Sequence, residues 1–222
     1  SHEIRTPLNG LLGNMTLLRD TALNPDQQKY IRNMETSGRL LMNHISDVLD
    51  ITRYDAGKLT IAPQAMNVSE LLQDIIDNQS STASANETTL DWGWVGPRMN
   101  WVTTDPDRLQ HILVNLIGNA VKFTKRGKVS VNASTSSEEG QLYLQIDVSD
   151  TGLGIESTLE ESIFDDFVTG NTAYDRDVGG TGLGLSIVKH IAERHGGRLE
   201  ISSELGEGTN VSVLLPVIYK SS

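Results

Sequence analysis

The stretch Asp107-Arg108-Leu109-Gln110-His111-Ile112-Leu113-Val114-Asn115-Leu116-Ile117-Gly118-Asn119-Ala120-Val121-Lys122-Phe123-Thr124 carries two stripes at once. Leu109, Ile112, Leu113, Leu116, Ile117, Ala120 and Val121 recur at the spacing of a helix with one buried face. His111, Asn115, Asn119 and Lys122 line up away from it as a polar stripe. Such a helix needs an apolar surface to lie on, and strand-like runs flank it, at 90–95 and 101–104 before it and at 128–133, 142–148, 199–203 and 210–215 after it. A second helix spans 183–195 and stops at Gly196-Gly197. Asn67 caps a further helix running to Asp77; residues 58–61 read as a strand and the polar stretch 80–89 as a loop. The expectation is an α+β two-layer sandwich, a mixed sheet with helices over one face.

Working outward, the N-terminal part has a different rhythm. Ile4, Leu8, Leu11, Met15 and Leu18 step by four, three, four and three, a coiled-coil seam. Residues 20–26, with Asn24-Pro25, break it. Tyr30, Met34, Ser37, Leu41, Ile45, Val48 and Thr52 form a second seam that Gly57 ends. A hairpin this narrow cannot bury two seams alone, so a homodimeric four-helix bundle is expected. The domains are read as 1–57 and 58–222, with a hinge at about 55–64. The helical pattern begins at once with no cap before it, so sequence is expected ahead of Ser1.

Composition narrows the function. The formal net charge is −11, which repels nucleic acid and anionic membrane, so neither is an expected partner of this stretch. A polyanionic ligand must then be held by backbone donors, a few cations and a metal. There are no cysteines, which excludes disulfides, thiolate zinc sites and thiol catalysis and fits a reducing, cytoplasmic setting. No apolar run is long enough to span a membrane; whether the full-length protein is anchored to one elsewhere stays open.

Several groups carry chemistry. His2 lies two residues before Ile4, about 200° around a helix, and is expected to face solvent, with Thr6 on the same face and Glu3 beside it. A carboxylate can hold one imidazole proton while the other nitrogen attacks, although a lone surface histidine is more often a solvated helix residue. Asn115, Asn119 and Lys122 can offer amide oxygens to Mg²⁺ and a cation to phosphate; spacing alone favours a solvated face. Asp150-Thr151-Gly152-Leu153-Gly154-Ile155 follows a strand, where an aspartate can accept from an exocyclic amine and glycines admit a flat ring. Gly179-Gly180-Thr181-Gly182-Leu183-Gly184 opens a helix, a seat for phosphate; its spacing is neither a Walker loop nor a Rossmann fingerprint. His44, His190 and His195 read as ordinary histidines, and Trp92, Trp94 and Trp101 as core or edge-strand aromatics.

Ser1-His2-Glu3-Ile4-Arg5-Thr6-Pro7-Leu8-Asn9-Gly10 resembles the phosphoacceptor box of sensor histidine kinases, in its hybrid-kinase form. Asn115 to Thr124 resembles the N box of the GHKL ATPases, Asp150 to Ile155 the first glycine box, Phe164-Asp165-Asp166-Phe167 the phenylalanine box, and Gly180 to Gly184 the second glycine box. Gly206-Glu207-Gly208-Thr209 is similar to the last small glycine motif and also reads as a hairpin turn. The boxes occur in the family's order over essentially the whole chain. Two departures are visible: Asp165-Asp166 stands where the family more often has Glu-Pro, and Glu156 replaces a proline after Ile155.

The resemblance implies a histidine-kinase core: His2 as phosphoacceptor, Glu3 as its base and Thr6 as the residue that positions water when a partner is dephosphorylated. It implies ATP and Mg²⁺, with Asn119 on the metal, Asp150 on adenine and Gly152 and Gly154 about the base. Asn115, Lys122 and the run Gly180, Thr181, Gly182, Leu183 and Gly184 would serve the phosphates, with 168–178 as a lid. Phosphoryl relay to an aspartate of a response-regulator receiver domain would follow. Two rivals remain, a degenerate kinase fold that does not use ATP and a chaperone- or gyrase-like ATPase; the second would carry a glutamate where Asn115 stands. The stimulus, the regulator, cis or trans transfer, the kinase-to-phosphatase balance and any receiver domain after Ser222 are not legible.

Overall fold

The computed structural model describes residues 2–55, 60–159, 162–165 and 182–219, and of these all side chains except those of residues 2–5, 39–40, 43–44, 46–47, 50–51, 53–55 and 159. The chain divides into two compact units, residues 1–58 and 59–222.

The first unit is a helical hairpin, α1 (His2–Arg19) and α2 (Pro25–Asp55). The break between them is built by sequence. Asn24 accepts from the Gln27 N–H at 2.9 Å, and the Gln27 side chain accepts from the Asn24 N–H at 3.0 Å, a reciprocal cap followed by Pro25 at the first helical position. Within the hairpin the packed strip takes Leu8 from the first seam and adds residues outside both seams. Leu8, Ile31 and Glu35 are buried, and a Cβ on Gly38 would lie 2.8 Å from Leu12 Cδ2, so the helices close along Leu8–Leu12 and Ile31–Glu35–Gly38. Arg19 reaches Glu35 at 3.6 Å. Leu11, Leu18, Tyr30, Met34, Leu41 and Val48 are instead 44–61% exposed. Two helices bury only the strip between them, so the hairpin has an inner strip and a second apolar strip left uncovered.

The second unit begins with β1 (Gln64–Asn67) and α3 (Val68–Ala85), followed by β2 (Thr89–Trp94), β3 (Trp101–Thr104) and α4 (Pro106–Phe123). Then come β4 (Lys128–Glu138), β5 (Gln141–Asp150), a 3₁₀ turn Ser157–Leu159, α5 (Gly184–Arg194), β6 (Arg198–Glu204), β7 (Gly208–Pro216) and β8 (Ile218–Tyr219). Five strands form a mixed sheet in the order β2-β4-β5-β7-β6, parallel only between β2 and β4. The antiparallel trio β1-β3-β8 is a second, smaller sheet that sequence reading did not anticipate. On the main sheet Val129, Val131, Ala133, Leu144, Ile146, Val148, Val211, Val213 and Leu215 are buried, alternating with polar residues except at Leu214, which is buried too. Against them lie the buried stripes of α4 and α5, and α3 contributes Val68, Leu72, Ile75, Ile76 and Ala83. Trp92 and Trp94, on edge strand β2, hydrogen-bond to Gln73 and Ser69 of α3.

Two local expectations are corrected. Thr60 and Ile61 are not strand, and the strand lies at Gln64–Asn67, because the Ala62 N–H is taken by the Asp105 carboxylate at 2.8 Å rather than by a ladder. Asn67 does cap a helix, accepting from Ser69 and Glu70, but α3 runs on to Ala85 through the expected loop at 80–89. Ala83 packs into the core and the Ser80 hydroxyl bonds back to the Ile76 carbonyl, so a polar-looking run continues the helix.

Ile117 is fully buried on α4, whereas Val114 on the same helix is 42% exposed. Ile117→Ala should therefore destabilise the second unit by about 2–5 kcal/mol, and Val114→Ala by no more than about 0.5 kcal/mol. Urea unfolding of both variants checks the pair; equal losses would contradict the orientation of α4.

Candidate functional site

Helix α4 starts at Asp105, whose carboxylate caps the Arg108 N–H at 3.1 Å, and Pro106 occupies its first turn. With its apolar stripe against the sheet, the opposite stripe carries Asn115, Asn119 and Lys122, each half-buried. The Asn115 amide donates to the His111 carbonyl at 3.0 Å, which fixes its rotamer along the helix. Lys122 Nζ lies 4.8 Å from the Phe123 ring centre.

The start of α5 is set against this stripe. A Cβ on Gly184 would lie 2.8 Å from Asn115 Oδ1 and 4.0 Å from Asn119 Nδ2, so any larger residue here would push the Asn115 amide from its place. Gly182 has φ +68°, the left-handed region, and Leu183 is buried as the residue before the helix. Leu183, the residue before α5, has no side chain that can cap it, and the positive end of the helix dipole lies beside two asparagine amides. Gly180 and Thr181, the segment 168–178 and the second half of the phenylalanine box lie outside the described residues.

A second cluster forms where α4 ends. Asp150, at the end of β5, accepts from the Gly152 N–H at 2.8 Å. Burial pushes the Asp150 carboxyl above the ordinary aspartate range, while the Gly152 and Thr209 N–H groups and the Thr124 hydroxyl pull it back. A Cβ on Gly152 would fall 2.5 Å from the Phe123 carbonyl oxygen, and Gly154, at φ +64°, touches the backbone of Glu204. Across the turn the Gly206 N–H donates to the Leu153 carbonyl at 2.7 Å, and the Ile155 N–H to the Ser203 hydroxyl at 2.8 Å. Asn119 and Thr124 are separated by about 7.5 Å along α4 at 1.5 Å per residue, so one helix carries both clusters.

The structure thus brings together Asn115, Asn119 and Gly184 in one place, and Asp150, Gly152 and Gly154 in another. Thr6 is exposed on α1. His2 and Glu3 lie in the first turn of α1; their side chains, and with them the expected outward orientation of His2, lie outside the described residues. Sequence reading missed Ser203, Thr124 and the contact of Thr209 with Asp150. The polar residues at the ends of adjoining strands were a signal, but only the register shows that they meet. Metal binding by side chains alone is not supported: among the described residues, no three His, Asp or Glu side chains gather at one point. A hard oxygen donor such as the Asn119 amide fits Mg²⁺ that takes its other ligands from phosphate and water.

Comparison with known proteins bears on the same elements. Residues 104–218 match the family described as histidine kinase-, DNA gyrase B- and HSP90-like ATPase, and residues 1–57 match the His Kinase A (phospho-acceptor) domain. The chain is 38% identical over 219 residues to Sensor protein GacS of Pseudomonas syringae pv. syringae, covering 97% of this chain and 24% of that protein. It is 34% identical to the autoinducer 2 sensor kinase/phosphatase LuxQ of Vibrio cholerae serotype O1, covering 98% of this chain and 25% of that protein. Full-length ShkA in complex with AMPPNP superposes with a TM-score of 0.82 at 32% identity, over 100% of this chain and 45% of that one. The chain spans about a quarter of the length of these two curated relatives.

Asp150→Asn tests the expectation that Asp150 meets an adenine amino group. Asparagine keeps an acceptor for the Gly152 N–H but presents a donor where the second carboxylate oxygen stood. Adenine nucleotide affinity should fall by roughly 10- to 100-fold, as for a lost hydrogen bond to a charged group. Stability should move the other way. A raised folded-state pKa means that stability present below the ordinary aspartate value of about 3.9 is lost as pH rises through the folded value. The asparagine variant lacks that loss and should melt no lower than wild type at neutral pH. Nucleotide titration and thermal unfolding check both; affinity within twofold of wild type would remove Asp150 from the site.

Proposed function

Because the chain belongs to the histidine kinase-, DNA gyrase B- and HSP90-like ATPase family, we propose that its second unit holds Mg·ATP and that the γ-phosphoryl group is transferred to His2. The observation that carries this reading is the fit of Gly184 against Asn115 and Asn119: it sets a helix start beside two amides, an arrangement suited to polyphosphate in a chain of net charge −11.

In this reading Asp150 accepts from the adenine amino group, and Gly152 and Gly154 let the ring approach the backbone. Gly180, Thr181, Gly182, Leu183 and Gly184 offer N–H groups to the phosphates and Lys122 a positive charge. Asn119, supported by Asn115, holds Mg²⁺, which when bound neutralises charge on the β- and γ-oxygens. Glu3 accepts the proton from one ring nitrogen of His2 while the other attacks phosphorus. The N–P bond forms, the β,γ-bridging P–O bond breaks and ADP leaves. In-line attack needs close approach, so the chain about 55–64 serves as the hinge between units. Asn115 cannot accept a proton from water, so idle hydrolysis is slow.

The phosphohistidine then donates to an aspartate of a response-regulator receiver domain. The uncovered strip Leu11, Leu18, Tyr30, Met34, Leu41 and Val48 supports a homodimeric four-helix bundle, because an apolar strip of that length calls for a partner. Thr6 positions water for dephosphorylation of the regulator, a reading favoured by likeness to a relative described as a sensor kinase/phosphatase. The catalytic steps belong in the cytoplasm, where ATP is supplied; among the described residues no helix is long and apolar enough to cross a membrane.

His2→Gln should abolish incorporation of label from γ-labelled ATP into acid-labile phosphate, with nucleotide affinity unchanged. Labelling that persists would remove His2 from the mechanism, and release of free phosphate as the main product would favour an ATPase instead. Thr6→Ala should retain autophosphorylation and slow regulator dephosphorylation by about 10-fold or more, on the scale of one lost positioning group. Loss of both activities in parallel would refute a water-positioning role.

A further inference from the structure

Asp150, Thr209 and Ser203 are register partners in one rung across three neighbouring strands, β5, β7 and β6. The Ser203 hydroxyl is fully engaged. It donates to the Gly208 carbonyl at 2.9 Å, accepts from the Ile155 N–H at 2.8 Å and lies 2.8 Å from the Thr209 hydroxyl. One donor and two lone pairs are all that a serine has. Two of these bonds are local to the β6–β7 turn and would be made by any serine closing a hairpin. The third reaches back 48 residues, to the end of the loop that starts at Asp150.

The turn in turn touches Asp150. A Cβ on Gly208 would fall 2.0 Å from the Asp150 carbonyl oxygen, and Thr209 is the ladder partner of Asp150, its N–H close enough to favour the ionised carboxyl. A single hydroxyl therefore joins the far end of the Asp150–Ile155 loop to the residues that hold its near end.

We propose that Ser203 is a positioning residue for base selection: it locks the Asp150–Ile155 loop to the Gly208–Thr209 turn so that the Asp150 carboxylate meets an exocyclic amine at a fixed place. This rests on the reading of the second unit as an ATP site. Without the hydroxyl, the Ile155 N–H and the Gly208 carbonyl lose their partner, the turn shifts and Asp150 loses part of its support from Thr209. Affinity for a base with an amino group at that position falls. A base with a carbonyl there, which the carboxylate repels, gains or keeps what it had.

The acid side of the binding profile reports the same link. The groups facing the Asp150 carboxyl are the Gly152 and Thr209 N–H groups and the Thr124 hydroxyl, none of which titrates. Weakening the Thr209 contact removes something that favours the ionised form, so protonation sets in at higher pH.

The test uses the full chain as wild type, Ser203→Ala and Ser203→Thr, titrated with ATP and with GTP across the acid range. Ser203→Ala should lose about 5- to 20-fold in ATP affinity, on the scale of one to two lost hydrogen bonds. GTP should change less than about twofold, so the ATP-to-GTP ratio narrows, and the loss of ATP binding on acidification should move to higher pH. Ser203→Thr, which keeps the hydroxyl, should recover most of both. An unchanged ratio and acid limb in Ser203→Ala overturn the proposal, even if the variant melts earlier, because a structural role alone moves only the melting. Wild type that binds neither nucleotide sinks the parent reading and this inference together; wild-type binding with an unaltered ratio sinks this one alone.

Discussion

Helix α4 has two faces with opposite obligations, and the second unit is arranged around that fact. Leu109, Ile112, Leu113, Leu116, Ile117, Ala120 and Val121 are buried, so the helix can neither rotate nor slide without opening the core. Asn115, Asn119 and Lys122 are thereby fixed on the other side, and Phe123 and Thr124 are delivered to the base of the Asp150 loop. A polar stripe on a free helix would sample many directions. Here its direction is set by seven apolar contacts behind it, which is how a site on a rigid element gains its geometry.

Backbone-to-backbone proximity is the second constraint. Gly152 lies against the Phe123 carbonyl, Gly154 against Glu204, Gly184 against Asn115 and Gly208 against Asp150. At three of these places a side chain would collide with main chain, and at Gly184 it would displace the Asn115 amide. The glycine motifs, usually discussed as ligand-contacting loops, are here also the positions at which strands, loops and helices of this unit pass too near one another for a Cβ. Ser203 belongs to the same system from the polar side, because it satisfies the donors and acceptors that such crowded turns would otherwise leave unpaired.

Charge explains why the site is made this way. A chain with a net charge of −11 offers a polyanion little general attraction. In the proposed reading, binding would come from local dipoles and N–H groups, from few cations and from metal, and the half-buried Asp150 would meet a base while carrying a desolvation cost that raises its pKa. In the helical hairpin the balance is different. Its inner strip holds a buried Glu35 paired with Arg19, and its second apolar strip is left bare, so the hairpin alone is an incomplete core.

Periodicity and end signals in the sequence determined the elements that matter most: the two stripes of α4, the hairpin break at Asn24-Pro25, the caps at Asn67 and Asp105, and the alternating strands of the main sheet. These are local properties, fixed within a turn or two of chain. The length of α3 was misjudged because the polar run at 80–85 is held by burial of Ala83, which no neighbour in sequence reveals. The strip that packs inside the hairpin, through Leu12, Ile31, Glu35 and Gly38, was not read from sequence, since adjacent apolar rows on a helix are equivalent until a partner chooses one. The small sheet β1-β3-β8 and the Asp150–Thr209–Ser203 rung depend on register between segments tens of residues apart. Only tertiary packing decided them, because hydrogen bonds across strands are set by which chain lies beside which, and a residue's own neighbours carry no trace of that choice.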